Sequence, residues 1–436
     1  MQRPAMLRRG FSSRGAIERL EPRRLLSGQT ATQVLITPKL VEIDARSAAN
    51  LPIVFKLHDV TGTIALDGTN LAEQTSGNHA TIAGNLIAIS SILISDSTPA
   101  SSLVLQARGG IELGGFEDAG PMKLLDLSSA NMAGGSYAML AAPALHLGNG
   151  TQATIQITQN LPVFSMTGGN FTSSQVNITA GSSLPAQTQQ VLDYFVKKWQ
   201  DSTLKYAGRI DNLQLDSASQ TSPGAASFTV GAIKSIRVGT DFGATLWAGS
   251  IGTANIGGSL LGATINLTNP LAADSLDLKS LVCDKEISGS TINSAGSVGS
   301  IGSMFTLNSQ IRAGVAPGYV FDQPSSDVFS SAAAIGSFTS FCPIKNAFHF
   351  VNSDVEASQI GKFQTGNFQT QNNGIPFGIA TNSLGNLSAI IPPRPVRLKN
   401  VTTTAQLNGQ LSSEGQSNSM GNLLILVQPS LVLPEG

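Results

Sequence analysis

Charged residues are scarce in this sequence. Lys, Arg, Asp and Glu make up 12% of the 436 residues, about half of the roughly 25% that is usual in soluble proteins. The formal net charge is −1 and apolar residues reach 41%, whereas disordered chains combine a high net charge with few apolar residues. The composition therefore argues against general disorder. It also argues against nucleic-acid binding, which needs a basic surface.

Histidine and cysteine are also few. The four histidines lack the i, i+4 or His-x-His spacing of a metal site; they are His58, His79, His146 and His349. Cys283 and Cys342 are separated by at least two turns of the repeat described below, which exceeds the Cα distance of about 7 Å that a disulfide allows. The sequence therefore predicts two free thiols, and we expect no metal and no other cofactor.

Long hydrophobic runs are missing as well. A membrane-spanning helix needs about 18 or more apolar residues, and no stretch of this chain reaches that length. The nearest candidate lies at the C-terminus and is interrupted by Gln428 and Pro429. We expect no transmembrane segment and interpret these residues as a closing pair of strands.

Arginine is concentrated at the N-terminus, where seven arginines precede Leu25. No apolar stretch of signal-peptide length follows. The string AIERLEPRRLLSG over 16–28 resembles the LEPR-XLL segment of large exported proteins of planctomycete-type bacteria. The matching residues are Leu20, Glu21, Pro22, Arg23, Leu25, Leu26 and Ser27. The resemblance implies a sorting or processing element and export to the cell surface or beyond; the alternative is a basic amphipathic leader.

The middle of the chain repeats. A turn of small residues leads into an apolar anchor in four segments, which read GATLWAG, GATINLT, GSTINSAG and NSQIRAG. The anchors are Leu246, Ile265, Ile292 and Ile311, spaced 19, 27 and 19 residues apart. The longer step is interpreted as a 19-residue unit with eight inserted residues.

A second pattern places two apolar residues three positions apart, with Gly or Lys after the first. It occurs at Ile233/Ile236, Leu278/Leu281, Val298/Ile301, Ile335/Phe338, Ile360/Phe363 and Leu384/Leu387. A unit of about 20 residues cannot bury its own apolar face and must stack on copies of itself. The Gly, Ser, Thr, Asn and β-branched content favours strands. We predict an all-β parallel β-helix or β-solenoid with coils of about 19–27 residues and β caps at its ends; an antiparallel sandwich or barrel is the alternative.

One segment has a different pattern. Val191, Leu192, Phe195, Val196 and Trp199 fall on one side of a helix, which predicts a short helix near 187–200. The expected organisation is a leader over 1–30, a β-rich part with a cap and early coils over 31–185, the helix over 186–201, solenoid repeats over 202–400, and C-terminal strands or a cap over 401–436.

Candidate catalytic groups are weak. Parallel β-helices commonly cleave acidic polysaccharides with carboxylates and a basic residue on one lateral face. Asp354 and Glu356 are two positions apart and would share one face of a strand, and Lys285 lies between two acidic residues. These three residues are the catalytic candidates, but isolated charges on a neutral solenoid more often serve solubility.

Three classes of function remain open. The first, and favoured, is a non-catalytic exported or cell-surface protein with a structural or adhesive role, whose partners are extracellular polysaccharide or other surface proteins. The second is a polysaccharide lyase or glycoside hydrolase of the parallel β-helix type. The third is an autotransporter-like passenger or an assembly subunit that binds copies of itself through an open end.

Overall fold

Strands account for 72% of the computed structural model of the chain and helix for 3%, so the all-β prediction is confirmed. The structure describes residues 30–47, 50–118, 120–181, 190–268, 276–316, 319, 321, 329, 333–344, 346–417 and 419–427. Within these residues, thirty strands join into one long mixed sheet.

The first ten strands cover the N-terminal part of the chain. They are β1 (Thr30–Ile36), β2 (Glu42–Arg46), β3 (Pro52–Ser76), β4 (His79–Ala107), β5 (Ile111–Asp118), β6 (Leu124–Leu140), β7 (Ala144–Thr151), β8 (Thr154–Gln159), β9 (Val163–Thr172) and β10 (Gln175–Ala180). The next ten are β11 (Val191–Gln200), β12 (Thr203–Ser219), β13 (Ser227–Val238), β14 (Thr245–Ala248), β15 (Ile251–Ile256), β16 (Leu260–Leu261), β17 (Thr264–Leu267), β18 (Leu276–Cys283), β19 (Glu286–Ser288) and β20 (Thr291–Ser294). The last elements are β21 (Ser297–Ser303), β22 (Phe305–Leu307), β23 (Gln310–Ala313), β24 (Ala334–Ser340), β25 (Phe348–Val351), β26 (Asp354–Phe368), β27 (Phe377–Ile391), β28 (Arg394–Val401), helix α1 (Thr404–Ser413), β29 (Ser419–Met420) and β30 (Leu423–Val427).

The direction of strand pairing divides the sheet. At the N-terminal end, β1 and β2 pair antiparallel with β3, and β3 forms a long antiparallel hairpin with β4. From β5 to β27 every described strand pairing is parallel. An antiparallel region at the N-terminal end therefore precedes a long parallel one.

The parallel strands lie in three rows. In the middle of the chain β17, β18 and β19 pair with β20, β21 and β22, which pair in turn with β23, β24 and β25. We call each set of three a layer, and the strands that follow β17, β18 and β19 from layer to layer the first, second and third row. Strand β26 spans all three rows, because its successive parts pair with β23, β24 and β25.

One column of inward side chains runs along the first row from β8 to β30. The column is buried throughout and consists of Ile155, Val176, Leu204, Phe228, Leu246, Ile265, Ile292, Ile311, Val355, Ile379 and Ile425. The four anchors found in the sequence are therefore register partners. The step between partners is shortest from Phe228 to Leu246 and longest from Ile379 to Ile425.

The second sequence pattern marks a bend in the second row. Val298 and Ile301 are both buried while the two residues between them are half-buried, so strict alternation is interrupted there. The backbones approach closely at this bend: a Cβ on Gly299 would lie 2.3 Å from the Lys279 carbonyl oxygen, and one on Gly336 would lie 2.5 Å from the Gly299 oxygen. Glycine recurs in the pattern because it has no Cβ to fill this space.

The close approach predicts unequal effects of two alanine substitutions. Gly336→Ala should lower the free energy of unfolding by about 1–3 kcal/mol, because the new methyl group is forced against backbone of the preceding layer. Gly302→Ala is the matched control, since no atom lies within 4 Å of its added Cβ, and it should change stability by less than about 1 kcal/mol. Chemical denaturation followed by circular dichroism compares the two; equal effects would contradict the packing proposed for the bend.

The predicted helix near 187–200 is wrong. The described part of this segment is strand β11, which pairs in parallel with β9 and β12. Leu192, Tyr194 and Val196 are buried in strand alternation, and after two exposed lysines Trp199 is buried as well. Because inward positions 192, 196 and 199 also satisfy helical spacing, the apolar pattern did not distinguish the two structures.

The two ends of the sheet differ in charge. At the C-terminal end β28 pairs antiparallel with β27, and the described helix, α1, buries Leu407 and Leu411. Strand β28 carries Arg394, Arg397 and Lys399, charges of the kind that discourage edge-to-edge pairing. At the N-terminal end β1 pairs only with β3 among the described strands and has no charged residue.

Candidate functional site

Asp354 and Glu356 lie on β26 in the first row. Val355 and Ala357, on either side of Glu356, are buried and alternate with the two acidic positions, so Asp354 and Glu356 share the outward face of the strand. Glu356 nevertheless has no exposed surface. The acidic pair is thus on the lateral face that the sequence indicated, but one of its two carboxylates is covered.

Arg312 neutralises the covered carboxylate. Arg312 lies on β23 and is the register partner of Glu356 in the preceding layer. Its Nε is 2.9 Å from Oε2 of Glu356 and its Nη2 is 3.4 Å from Oε1. Nη2 also donates to the Tyr319 carbonyl oxygen at 3.2 Å, and Cζ lies 6.0 Å from the centre of the Tyr319 ring. The guanidinium is therefore held by a carboxylate, a carbonyl and an aromatic ring.

Burial is the main influence on the pKa values of the two carboxyl groups, Asp354 and Glu356. It raises the pKa of Glu356 to about 7, while the Arg312 guanidinium acts in the opposite direction. Burial also raises the pKa of Asp354 to about 6, and the hydrogen bond that its Oδ1 accepts from the Gly378 N–H at 3.2 Å opposes this. Raised carboxyl pKa values occur in general acids, but they also occur in structural ion pairs.

Lys285 does not join this cluster. It is exposed in the turn between β18 and β19, between the second and third rows. Glu356 lies three layers further along the stack, in the first row. Three strand spacings separate the two residues by about 14 Å along the stacking direction alone. The three catalytic candidates therefore do not form one site.

Arg312 was missed in the sequence although a signal for it was present. The strings NSQIRA over 308–313 and NSDVEA over 352–357 align residue for residue, and the structure places them in the same register. Aligning anchor Ile311 with Val355 would have set Arg312 directly beside Glu356. The step between these two anchors is much longer than any step of the recognised repeat, and its length concealed this match.

His349 and Cys342 are close but not arranged for nucleophilic catalysis. His349 is buried, and its Nδ1 accepts the Asn367 N–H at 3.1 Å. Its Nε2 therefore carries the proton and donates to the Cys342 carbonyl oxygen at 3.0 Å. The Cys342 Sγ lies 3.5 Å from the same nitrogen, which is not free to act as a base toward the thiol.

The two cysteines are both buried and unpaired, as predicted. Burial raises the pKa of Cys283 to about 12, which leaves this thiol protonated and unreactive near neutral pH. Among the described residues, no group of three or more His, Cys, Asp and Glu side chains could hold a metal ion.

The outward side of the first row is the other surface whose side chains could bind a ligand. Trp247 on β14 is 46% exposed, whereas Trp199, the second tryptophan of the chain, is fully buried. The register partners of Trp247 form an outward-facing line along the first row. This line begins in a surface depression of about 610 Å³, whose lining includes Gln156, Asn177, Lys205 and Thr229. This surface offers an aromatic ring, amides and hydroxyls.

The remaining observations concern membranes and related proteins. In the described part of the chain, no helix has the length and apolarity that crossing a membrane would require. The LEPR-XLL residues, Leu20 to Ser27, lie outside the described residues. No protein-family model, no curated protein and no solved structure matches this chain.

Proposed function

We propose that this chain is a non-catalytic, exported β-solenoid protein that acts as a rigid spacer or adhesive element at a cell surface. The observation that carries the proposal is the unbroken inward column from Ile155 to Ile425, which runs through successive parallel pairings. Such stacking produces a rod whose coils contact only their neighbours. Spacers and adhesive surfaces require this kind of stiffness.

The state of the acidic pair supports a non-catalytic role. A general acid or nucleophile must reach the substrate within hydrogen-bond distance, and Glu356 has no exposed surface and is paired with Arg312. The scarcity of charge agrees with this assignment, because equivalent side chains in stacked coils lie directly above one another and like charges would repel.

Small-angle X-ray scattering tests the rod. Ten layer spacings between Ile155 and Ile425 give a height of about 48 Å, to which the N-terminal strands add. We expect a pair-distance distribution skewed toward long distances, as for a rod of uniform cross-section. A symmetric distribution, as for a sphere, would refute the solenoid assignment.

Export is proposed from the LEPR-XLL resemblance and is tested separately. Mass spectrometry of the protein in fractionated cells of its source should find it in the surface or extracellular fraction, with its N-terminal segment processed. Retention of the residues from Met1 to Ser27 in a cytosolic protein would contradict export while leaving the rod intact.

A lyase or hydrolase is the second candidate, favoured by one observation. Asp354 is half-buried, has a raised pKa and lies two positions before Glu356 on the same strand. The test is incubation of the full chain with polygalacturonate and alginate, with Asp354→Asn as the matched control. Release of reducing ends by the native chain but not by the variant would establish this activity and refute the non-catalytic assignment.

The assembly alternative is supported by the uncharged edge of β1. Light scattering across a range of concentrations measures the mass of the protein in solution and so tests self-association. A mass that stays at one chain would exclude self-association, whereas a dimer that is lost on Leu35→Lys would establish pairing at that edge, since Leu35 is 68% exposed on β1.

A further inference from the structure

Trp247 is an exposed aromatic ring on a regularly paired part of the sheet. It lies between Thr229 in the preceding layer and Asn266 in the following one. The four-residue registers of β14, β17 and β20 contain no shift, so these strands are evenly stacked. No described aromatic ring packs against Trp247, whereas Trp199 contacts three others. Tryptophan is enriched among the residues that dominate binding energy.

The side chains around the indole are polar, uncharged and regularly spaced. In the outward line of Trp247, the Asn293 amide donates to Asn266 Oδ1 at 2.9 Å, which fixes both amides. A parallel outward line two positions earlier carries a hydroxyl in five consecutive layers: Thr203, Ser227, Thr245, Thr264 and Thr291. From Thr229 to Asn293 neither line contains a charge.

We infer that this surface binds a neutral polysaccharide chain, with one pyranose ring stacked on Trp247 and its neighbours hydrogen-bonded to the amide and hydroxyl lines. This inference rests on the proposed adhesive function and gives that function a ligand. The layer spacing of about 4.8 Å is close to the length of one sugar unit in an extended chain. An indole presents a flat apolar face that suits the C–H face of a pyranose, and the fixed amides need no ordering on binding.

The charge pattern decides between possible ligands. Nucleic acid and acidic glycans need several cations, but the uncharged stretch is bounded by the single Lys205 at one end and by Arg312, already paired with Glu356, at the other. A protein partner would be expected to meet a cluster of apolar residues, and Trp247 stands alone among polar ones.

Titration calorimetry of the full chain with cello-, manno- and xylohexaose, and with polygalacturonate, tests the inference. We expect at least one neutral hexaose to bind and Trp247→Ala to weaken it by about tenfold or more. Phe348→Ala is the control, because it removes a similarly exposed ring, 47% exposed, from β25 in the third row. Binding that survives Trp247→Ala, or binding of polygalacturonate alone, would overturn the inference.

Tryptophan fluorescence gives an independent readout because the chain has two tryptophans and one is buried. Acrylamide should quench the Trp247 component, and a bound hexaose should protect it. Absence of protection by all three neutral sugars at millimolar concentration would overturn the glycan site. If scattering still shows a rod in that case, the proposed spacer function stands without it.

Discussion

Trp199→Ala is expected to lower the free energy of unfolding by about 3–5 kcal/mol, the cost of truncating a large buried aromatic residue. The indole has no exposed surface and lies 5.6, 6.1 and 5.1 Å, centre to centre, from the rings of Phe171, Tyr194 and Phe228. Its Nε1 donates to the Ser202 carbonyl oxygen at 2.8 Å. Alanine would leave a cavity between layers and would remove one of the two hydrogen bonds that the Ser202 carbonyl oxygen accepts, the other coming from the Ser227 N–H. Guanidinium denaturation followed by circular dichroism measures the loss.

The second tryptophan provides the control for this experiment. Trp247→Ala removes the same side chain from an exposed position, and its effect on stability should stay within about 0.5 kcal/mol. The comparison separates loss of packing from any general effect of removing an indole. Similar losses for the two variants would contradict the burial assigned to Trp199.

Arg312→Met is expected to lower the free energy of unfolding by up to about 3–5 kcal/mol at pH 8, because the buried Glu356 must then either stay ionised without its counter-charge or take up a proton. The double variant Arg312→Met/Glu356→Gln should regain most of this loss, since no buried charge remains. Arg209→Met is the matched control: Arg209 pairs with Asp211 at 2.6 Å, but both side chains are partly exposed. Loss of such a pair should cost at most about 1 kcal/mol.

The effect of Arg312→Met should also depend on pH. Burial raises the pKa of Glu356 to about 7 and Arg312 lowers it, so the variant's Glu356 pKa should be higher still. A carboxyl group with a raised pKa binds more protons in the folded than in the unfolded state, so its contribution favours folding at low pH and is lost as the pH rises through the folded pKa. The destabilisation should therefore shrink between pH 8 and pH 5. A loss that is equal at both pH values would contradict a buried, ionised Glu356.

The local repeat could be predicted from the sequence because each layer buries an apolar anchor at the same register position. Leu246, Ile265, Ile292 and Ile311 are register partners, and the Gly-containing pairs mark the bend of the second row. The anchors continue beyond Ile311, to Val355 and Ile379, but long intervening segments hid this continuation.

Two features could not be predicted from sequence periodicity, because they depend on contacts between layers. In β11 the switch from alternation to a three-residue step before Trp199 places buried residues at helical spacing, and only pairing with β9 and β12 identifies a strand. The Arg312–Glu356 pair joins residues 44 positions apart. Asp354 and Glu356 lie two positions apart on β26, but the pairing of the buried Glu356 with Arg312 in the preceding layer could not be predicted from that spacing.

The uneven steps along the first-row column define what a layer is. Phe228 and Leu246 are close in the sequence, whereas β28, α1 and β29 all lie between Ile379 and Ile425, yet each step advances the stack by one strand spacing. A layer is thus a unit of height rather than a unit of sequence length. The number of residues between two layers can therefore change while the axial spacing stays constant, and homologous chains should be aligned on their inward columns rather than on a fixed period.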